Sequence, residues 1–193
     1  MTVLEDRIAM AEYDNESMLD EMFDRLEPDP EGYKVEIVEG TVYMSPQRDT
    51  HWEITLDIIL QLGSKYRRQQ LKSDVRIDYP GRLNGFATDV TLIREGAVKT
   101  EKGRWRHEDV EFVAEVISKG TAANDYGPKK AAYATAEVPV YVIADPYKGM
   151  CYVYTQPKEG DYITRTKVEF GTDIDLTGTV VDLVLKTDGF PRD

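Results

Sequence analysis

The stretch Val110-Glu-Phe-Val-Ala-Glu-Val-Ile-Ser118 constrains this chain more than any other. Alternation sets Val113 and Ile117 on one side and Phe112, Ala114 and Val116 on the other. A strand that is apolar on both sides belongs inside a sheet covered by layers on both faces. Glu115 therefore points inward. A carboxylate buried without a partner is costly, so it must be protonated, paired or bound to a cation.

The flanking periodicities supply the rest of such a sheet. Tyr33–Val38 and Thr41–Met44 both alternate, and Glu39-Gly40 between them predicts a tight hairpin, stopped by Ser45-Pro46. Thr50-His-Trp-Glu53 reads as a capping box for an amphipathic helix carrying Ile54, Ile58, Leu62 and Tyr66. Strands are expected at Asp74–Tyr79, Asp89–Arg94 and Val110–Ser118. Pro128 should open a second helix reaching Ala136. Short strands follow at Val138–Ala144, Met150–Thr155, Tyr162–Val168 and Thr179–Leu185. Ahead of all these, Met18, Leu19, Met22, Phe23 and Leu26 recur with helical spacing behind Asp14-Asn15 as a cap. The breakers in Glu27-Pro-Asp-Pro-Glu-Gly32 end that helix. The order βα-βββ-α-ββββ predicts an α/β (α+β) fold on a mixed sheet with few helices. It divides into an acidic helical extension over residues 1–30 and a domain over 31–193.

Charge narrows the partners. The 193 residues carry 24 Lys and Arg against 36 Asp and Glu, a net −12 that excludes a polybasic nucleic-acid coat. The excess is local, because residues 1–40 hold 13 acids and 3 bases while the remainder holds 23 and 21. From Gly63 to Arg82 the balance reverses, with Lys65, Arg67, Arg68, Lys72, Arg76 and Arg82 against Asp74 and Asp78. A solvated helix end explains that stretch better than a phosphate-contacting patch. Cys151 is the only cysteine, so neither an internal disulfide nor a multi-thiolate zinc site is available, and a reducing compartment fits. No run approaches the ~20 apolar residues of a membrane span, and the acidic N-terminus lacks a signal peptide's pattern, so the cytoplasm is expected.

Other charged residues stand out against their surroundings. Asp89 heads the apolar strand Val90-Thr-Leu-Ile93. Glu36 shares a strand face with Lys34 and Val38, which on its own reads as an exposed strand residue. Lys129 falls in the first turn after Pro128, where a cation opposes the helix dipole. Its helical neighbours Ala132, Tyr133 and Ala136 should pack on the sheet, so it needs an acidic partner; Asp125, one turn earlier, is the plain choice. Lys130 is expected in solvent. Inward acids on neighbouring strands with a lysine nearby suit Mg²⁺, which prefers carboxylate oxygens and water. Such an ion polarises a phosphate and acidifies bound water, while the lysine stabilises the nucleophile or developing charge. His51 and His107 read as isolated, and no Ser/His or Cys/His pair, P-loop or dinucleotide-binding glycine pattern occurs.

These residues carry a resemblance. Tyr33-x-x-Glu36-x-x-x-Gly40, Ser45-Pro46, His51, Asp89-Val, Glu115-Val-Ile-Ser118, Asp125-x-x-x-Lys129-x-x-x-Tyr133 and Val138-Pro-Val-Tyr-Val-Ile-Ala-Asp145 resemble the Uma-type restriction endonuclease family of the PD-(D/E)XK nuclease superfamily. The resemblance implies a restriction-endonuclease-like fold, a central mixed sheet flanked by helices. It also implies a Mg²⁺-dependent (or Mn²⁺-dependent) endonuclease acting on DNA. Asp89 and Glu115 match the metal-binding acids, Glu36 the acid of the early strand, and Lys129 the lysine-bearing helix position. Thr88 stands where the family has Pro, and Ile117 where Glu-x-Lys has its lysine. Catalysis then falls to Lys129, or to Lys119, which alternates onto the Glu115 face. A homodimer would suit cutting both strands of a duplex. The alternatives are a non-catalytic binding or assembly module, with the acidic N-terminus as a docking arm or a shield over the basic stretch, and a metal-assisted phosphoesterase for RNA or nucleotides.

Overall fold

The computed structural model describes residues 3–28, 31–46 and 48–193, with side chains from Asp14 onward. In chain order the elements are α1 (Val3–Asp24), β1 (Tyr33–Val38), β2 (Thr41–Pro46), α2 (Asp49–Gly63), β3 (Leu71–Lys72) and β4 (Val75–Tyr79). Then come β5 (Asn84–Thr88), β6 (Val90–Ile93), β7 (Trp105–Arg106), β8 (Val110–Val116), α3 (Ala122–Tyr126) and α4 (Pro128–Thr135). The chain closes with β9 (Val140–Asp145), β10 (Met150–Lys158), β11 (Asp161–Glu169), β12 (Ile174–Asp175) and β13 (Val184–Leu185). The protein is a mixed α+β molecule with few helices, as its residue pattern predicts.

One nearly continuous run, β5 through β6, links two sheets. β5 belongs to a five-stranded sheet in the order β2-β1-β5-β4-β7, and β6 to a six-stranded sheet in the order β11-β10-β9-β8-β6-β3. Asp89 is the single residue between them. The central mixed sheet expected from sequence is the six-stranded one, and the five-stranded sheet joins it at an acidic residue. Within the larger one, β8 and β9 run parallel while their other neighbours are antiparallel. A parallel pair needs a crossover, and α3 and α4 supply it.

β8 is buried between layers, as its double apolar pattern requires. Phe112, Ala114 and Val116 face a core completed by Ile54, Ile58 and Leu62 of α2. Val113 and Ile117 face a second core completed by Ala132, Tyr133 and Ala134 of α4. The six-stranded sheet is thus flanked by α2 on one face and α4 on the other. Tyr79 and Phe86 stack at 5.2 Å, and Tyr133 meets Tyr79 edge-on at 4.9 Å, which walls the second core with aromatic rings.

The hairpin turn forms at Glu39-Gly40 with Val38 opposite Thr41. Both turn residues have positive φ, 50° and 78°, the left-handed pair that a two-residue hairpin needs. Helix α1 lies against this sheet. Leu19 is buried with Ile37 and Leu83, and a Cβ on Gly85 would stand 2.6 Å from Phe23, so glycine permits the approach.

Several boundaries differ from the sequence expectation. Helix α1 begins at Val3, so Asp14-Asn15 lies inside it and is not its cap. Of the breaker segment, Asp29 and Pro30 fall outside the described residues. The capping box at Thr50–Glu53 does not form: α2 starts at Asp49 with Arg48 as N-cap and no side-chain cap bond. The Thr50 hydroxyl donates instead to Asp193 across 2.6 Å. The helix ends at Gly63, and Tyr66 lies beyond it, packed on the same core with its hydroxyl donating to the Val181 carbonyl. Thr179–Leu185 is strand only at Val184–Leu185, paired with β12. The fully buried β5, Asn-Gly-Phe-Ala-Thr, reads locally as a turn and was not expected as a strand. Among the described residues, no helix is long and apolar enough to cross a membrane.

Among the described residues, three of the six basic residues in the stretch 63–82 have carboxylate partners. Lys65 pairs with Asp182, Arg67 with Glu95, and Arg76 with Asp20 and Asp78. Asp20 of α1 also takes Lys102 and Arg104.

Candidate active site

Register alone brings two of the acids together. Val90 pairs with Ala114 in the antiparallel β6–β8 ladder, so one step further sets Asp89 beside Glu115 on the face covered by α4. The Asp89 carboxylate accepts the Val116 amide at 2.7 Å through Oδ2, and the Asp89 amide approaches Glu115 Oε2 at 3.4 Å. Glu36 arrives from β1. Its strand pairs with β5 at Ile37–Gly85, and Glu36 Oε1 then takes the Ala87 amide at 3.1 Å.

Helix α4 completes the cluster. Pro128 starts it, and Lys129 in its first turn points into the sheet. The Lys129 ammonium lies 3.0 Å from Glu36, 2.7 Å from Glu115 and 3.1 Å from Asp125. Exposure is 8% for Glu36 and 1% for each of Asp89, Glu115 and Lys129. Glu36, Asp89, Glu115 and Lys129, expected from sequence to act together, therefore meet in one buried cluster. Asp125, the plain ion-pair partner of Lys129, is present as well, so that reading and the cluster hold together. The Tyr133 hydroxyl, one helical turn beyond Lys129, donates to Glu115 Oε1 at 2.6 Å.

Two further side chains join that sequence reasoning did not assign to the site. Lys34 Nζ stands 2.6 Å from Asp89 Oδ1, 3.6 Å from Glu115 and 3.8 Å from Glu36. Its signal was its place two residues before Glu36 on the same strand face. His51 Nε2, in the first turn of α2, lies 3.0 Å from Asp89 Oδ2. His51 is therefore not isolated, although nothing local in sequence links it to Asp89. Lys119 is excluded from the cluster: β8 ends at Val116, the chain turns away, and Lys119 is exposed. Asp145 is occupied elsewhere, accepting from Tyr126 at 2.6 Å and pairing with Lys148 at 2.8 Å. Lys130 pairs with Asp161 rather than standing free.

The cluster divides its protons unevenly. Burial pushes the Glu115 carboxyl up to about 8, and the nearby Lys129 and Lys34 ammonium groups only partly offset this. Burial likewise raises Asp125 against the pull of Lys129. At Asp89 burial also acts upward, but Lys34 and the His51 hydrogen bond outweigh it and hold the carboxyl below the usual range. Burial alone would lower Lys129; Asp125, Glu115 and Glu36 reverse that and keep it protonated. His51 is raised in the same way, its bond to Asp89 overcoming desolvation. The cluster thus favours the protonated form at Glu115 and Asp125 and the ionised form at Asp89.

Beside Asp89 a cavity of about 20 Å³ opens, lined by His51, Trp52, Thr55, Ser73, Asp74 and Asp89. That is room for about one water molecule or ion. The buried Thr55 hydroxyl on its wall has no hydrogen-bond partner among the described residues.

Among the described residues, no three His, Cys, Asp or Glu side chains are disposed as ligands of one metal ion. The reason is local: the Lys34 and Lys129 ammonium groups stand between the carboxylates. The donor set nonetheless suits a hard cation, being built of carboxylate oxygens. Four carboxylates (Glu36, Asp89, Glu115, Asp125) face the Lys34 and Lys129 ammonium groups and the His51 imidazole.

Acids from three strand segments thus converge with a helix lysine at the junction of two sheets in an α+β protein. The chain belongs to the Uma2 family, described as "Putative restriction endonuclease", whose match spans residues 20–187. Its fold is similar to the crystal structure of "a putative nuclease belonging to DUF820 from Anabaena variabilis ATCC 29413". That likeness has a TM-score of 0.68 at 15% identity and covers 89% of this chain and 96% of the other. No curated protein sequence matches the chain.

Proposed function

We propose that this protein is a metal-dependent endonuclease that hydrolyses phosphodiester bonds of DNA in the cytoplasm, with Mg²⁺ or Mn²⁺ as its ion. The observation that carries this reading is the convergence of Glu36, Asp89 and Glu115, from three different strand segments, around the cations Lys34 and Lys129. The fold by itself would not carry it, since one scaffold hosts many activities.

A bound Mg²⁺ would be held by Asp89 and Glu115, with Glu36 completing the shell, and would supply polarisation of the scissile phosphate and a more acidic water. Lys129 engages Glu36, Glu115 and Asp125, which fixes the carboxylates. It also places positive charge where negative charge accumulates in the transition state. Lys34 is the less enclosed of the two ammonium groups and supplies a second positive charge beside Asp89. His51 holds Asp89 from the other side, so the carboxylate cannot rotate away from the site. Two copies related by a two-fold axis would offer one such site to each strand of a duplex.

The test is a cleavage panel of duplex DNA, single-stranded DNA, RNA and nucleotides, with Mg²⁺, Mn²⁺ or chelator. Duplex cleavage is expected only with the divalent ion, and it should be lost in Asp89→Asn and Glu115→Gln. Cleavage confined to RNA or nucleotides would replace the substrate assignment. No hydrolysis of any substrate would leave a binding module on a nuclease scaffold.

A further inference from the structure

Strand register places a second group of charges on the same sheet face as Glu115. Glu115 pairs with Ile143, Ile143 with Tyr152, and Tyr152 with Lys167. The neighbouring row runs Val113, Tyr141, Tyr154, Arg165. Residues directly opposite one another in a sheet project to one face, so Lys167 and Arg165 share the face of Glu115. Three strand spacings separate the backbone of Lys167 from that of Glu115, about 14 Å.

These cations lie over tyrosine rings. Arg165 sits 4.9 Å from the Tyr152 ring centre and 5.7 Å from that of Tyr154. Lys148, in the β9–β10 turn, sits 4.6 Å from Tyr126 and 5.9 Å from Tyr152, and Lys167 reaches Tyr152 at 6.0 Å. Tyr152 and Tyr154 are buried beneath them, while Lys148, Arg165 and Lys167 are exposed. Lys148 is paired with Asp145. Among the described residues, neither Arg165 nor Lys167 has a carboxylate partner, in a chain of net charge −12.

We infer that Lys148, Arg165 and Lys167 form a docking surface for the sugar–phosphate backbone of duplex DNA, on the sheet face of Glu115 and three strands along from it. The inference rests on the nuclease reading and names where its substrate lies. Fixed cations on a stiff sheet suit a phosphate backbone, which gives affinity without reading sequence. Single-stranded binding depends on rings free to stack with bases, and here Tyr152 and Tyr154 are covered. A duplex partner is therefore favoured over an unpaired strand.

The test is equilibrium binding of the full chain to a labelled DNA duplex in chelator, so that no cleavage occurs, over a range of salt concentrations. Arg165→Gln/Lys167→Gln should bind at least about tenfold more weakly at low salt, with the log–log salt slope reduced by about 1.8. Arg165→Lys/Lys167→Arg should bind like the parent. Arg68→Gln/Arg82→Gln, which makes the same change in net charge from exposed positions elsewhere, should also bind like the parent. Equal losses in both Gln pairs would reduce the effect to net charge and overturn the surface. So would unchanged binding in Arg165→Gln/Lys167→Gln while the parent protein cleaves DNA; the nuclease reading would then stand. A parent protein that neither binds nor cleaves DNA would overturn both. Tighter binding to a single strand than to the duplex would overturn the duplex assignment.

Discussion

Lys34 donates to Asp89 across 2.6 Å, tying β1 to the junction between β5 and β6 with an ammonium that also approaches Glu115 and Glu36. An internal cation thus stands among the three carboxylates that an incoming divalent ion would use. A buried carboxylate cluster needs counter-charge to fold at all, and Lys34 and Lys129 supply it from within the chain.

Removing that charge separates its two effects. Lys34→Met should destabilise the metal-free protein by about 3–5 kcal/mol, because Asp89 loses a buried partner. It should also tighten Mn²⁺ binding by about tenfold or more, since the ion no longer competes with an ammonium. Calorimetric titration with Mn²⁺ checks this, together with melting curves with and without the ion. The variant should gain more from the ion than the parent does.

The pH dependence follows from Glu115. Its ordinary value is 4.5, and burial lifts it to about 8 in the folded chain. Between those values the folded protein holds a proton that the unfolded chain has released, so stability falls as pH rises through the window. The metal-free melting temperature should therefore drop between about pH 5 and pH 8, and Glu115→Gln should flatten the decline. Asp89 acts oppositely. With its carboxyl held below the usual range, its contribution is complete above about pH 4 and is lost only in acid.

Tyr133 orients the same carboxylate. Replacing it with Phe leaves Glu115 Oε1 with Lys129 alone, since the lost bond is the 2.6 Å donation from the hydroxyl. A loss of about 1–2 kcal/mol is expected. That corresponds to a melting temperature lower by about 2–8 °C. The same change should alter the pH profile of cleavage, which loosened packing alone would leave in place.

Thr55 makes the contrary case. Its buried hydroxyl finds no partner among the described residues. Valine matches its shape without the unpaired group, so Thr55→Val should raise stability by about 1 kcal/mol. Thermal unfolding should then show a rise of about 2–4 °C.

Much of the site was legible because strand alternation and helix phase are local properties. Glu115 stood out as a carboxylate in a strand apolar on both faces, and Lys129 as a cation that Pro128 pins in a helix's first turn. Glu36 and Asp89 came from the resemblance instead: alternation alone reads Glu36 as an exposed strand residue and Asp89 as an ordinary strand-entry acid, and both are buried. Lys34 shared the Glu36 face, yet alternation cannot say whether a charged pair faces solvent or a second sheet. His51 was hidden because its link to Asp89 is made by α2 packing on the sheet, which no spacing encodes. The strand Asn84–Thr88 was masked by Asn and Gly, turn formers that tertiary burial overrode. The capping box does not form because α2 starts one residue early, at Asp49, which puts Thr50 inside the helix, where its hydroxyl bonds Asp193.

The most direct test measures Mn²⁺ binding and duplex cleavage side by side in the parent protein, Asp89→Asn and Glu115→Gln, with folding verified by circular dichroism. The parent should bind the ion and cut DNA only in its presence, and both folded variants should lose binding and cleavage together. Folded variants that bind Mn²⁺ and cut DNA as the parent does would contradict the assignment of these carboxylates.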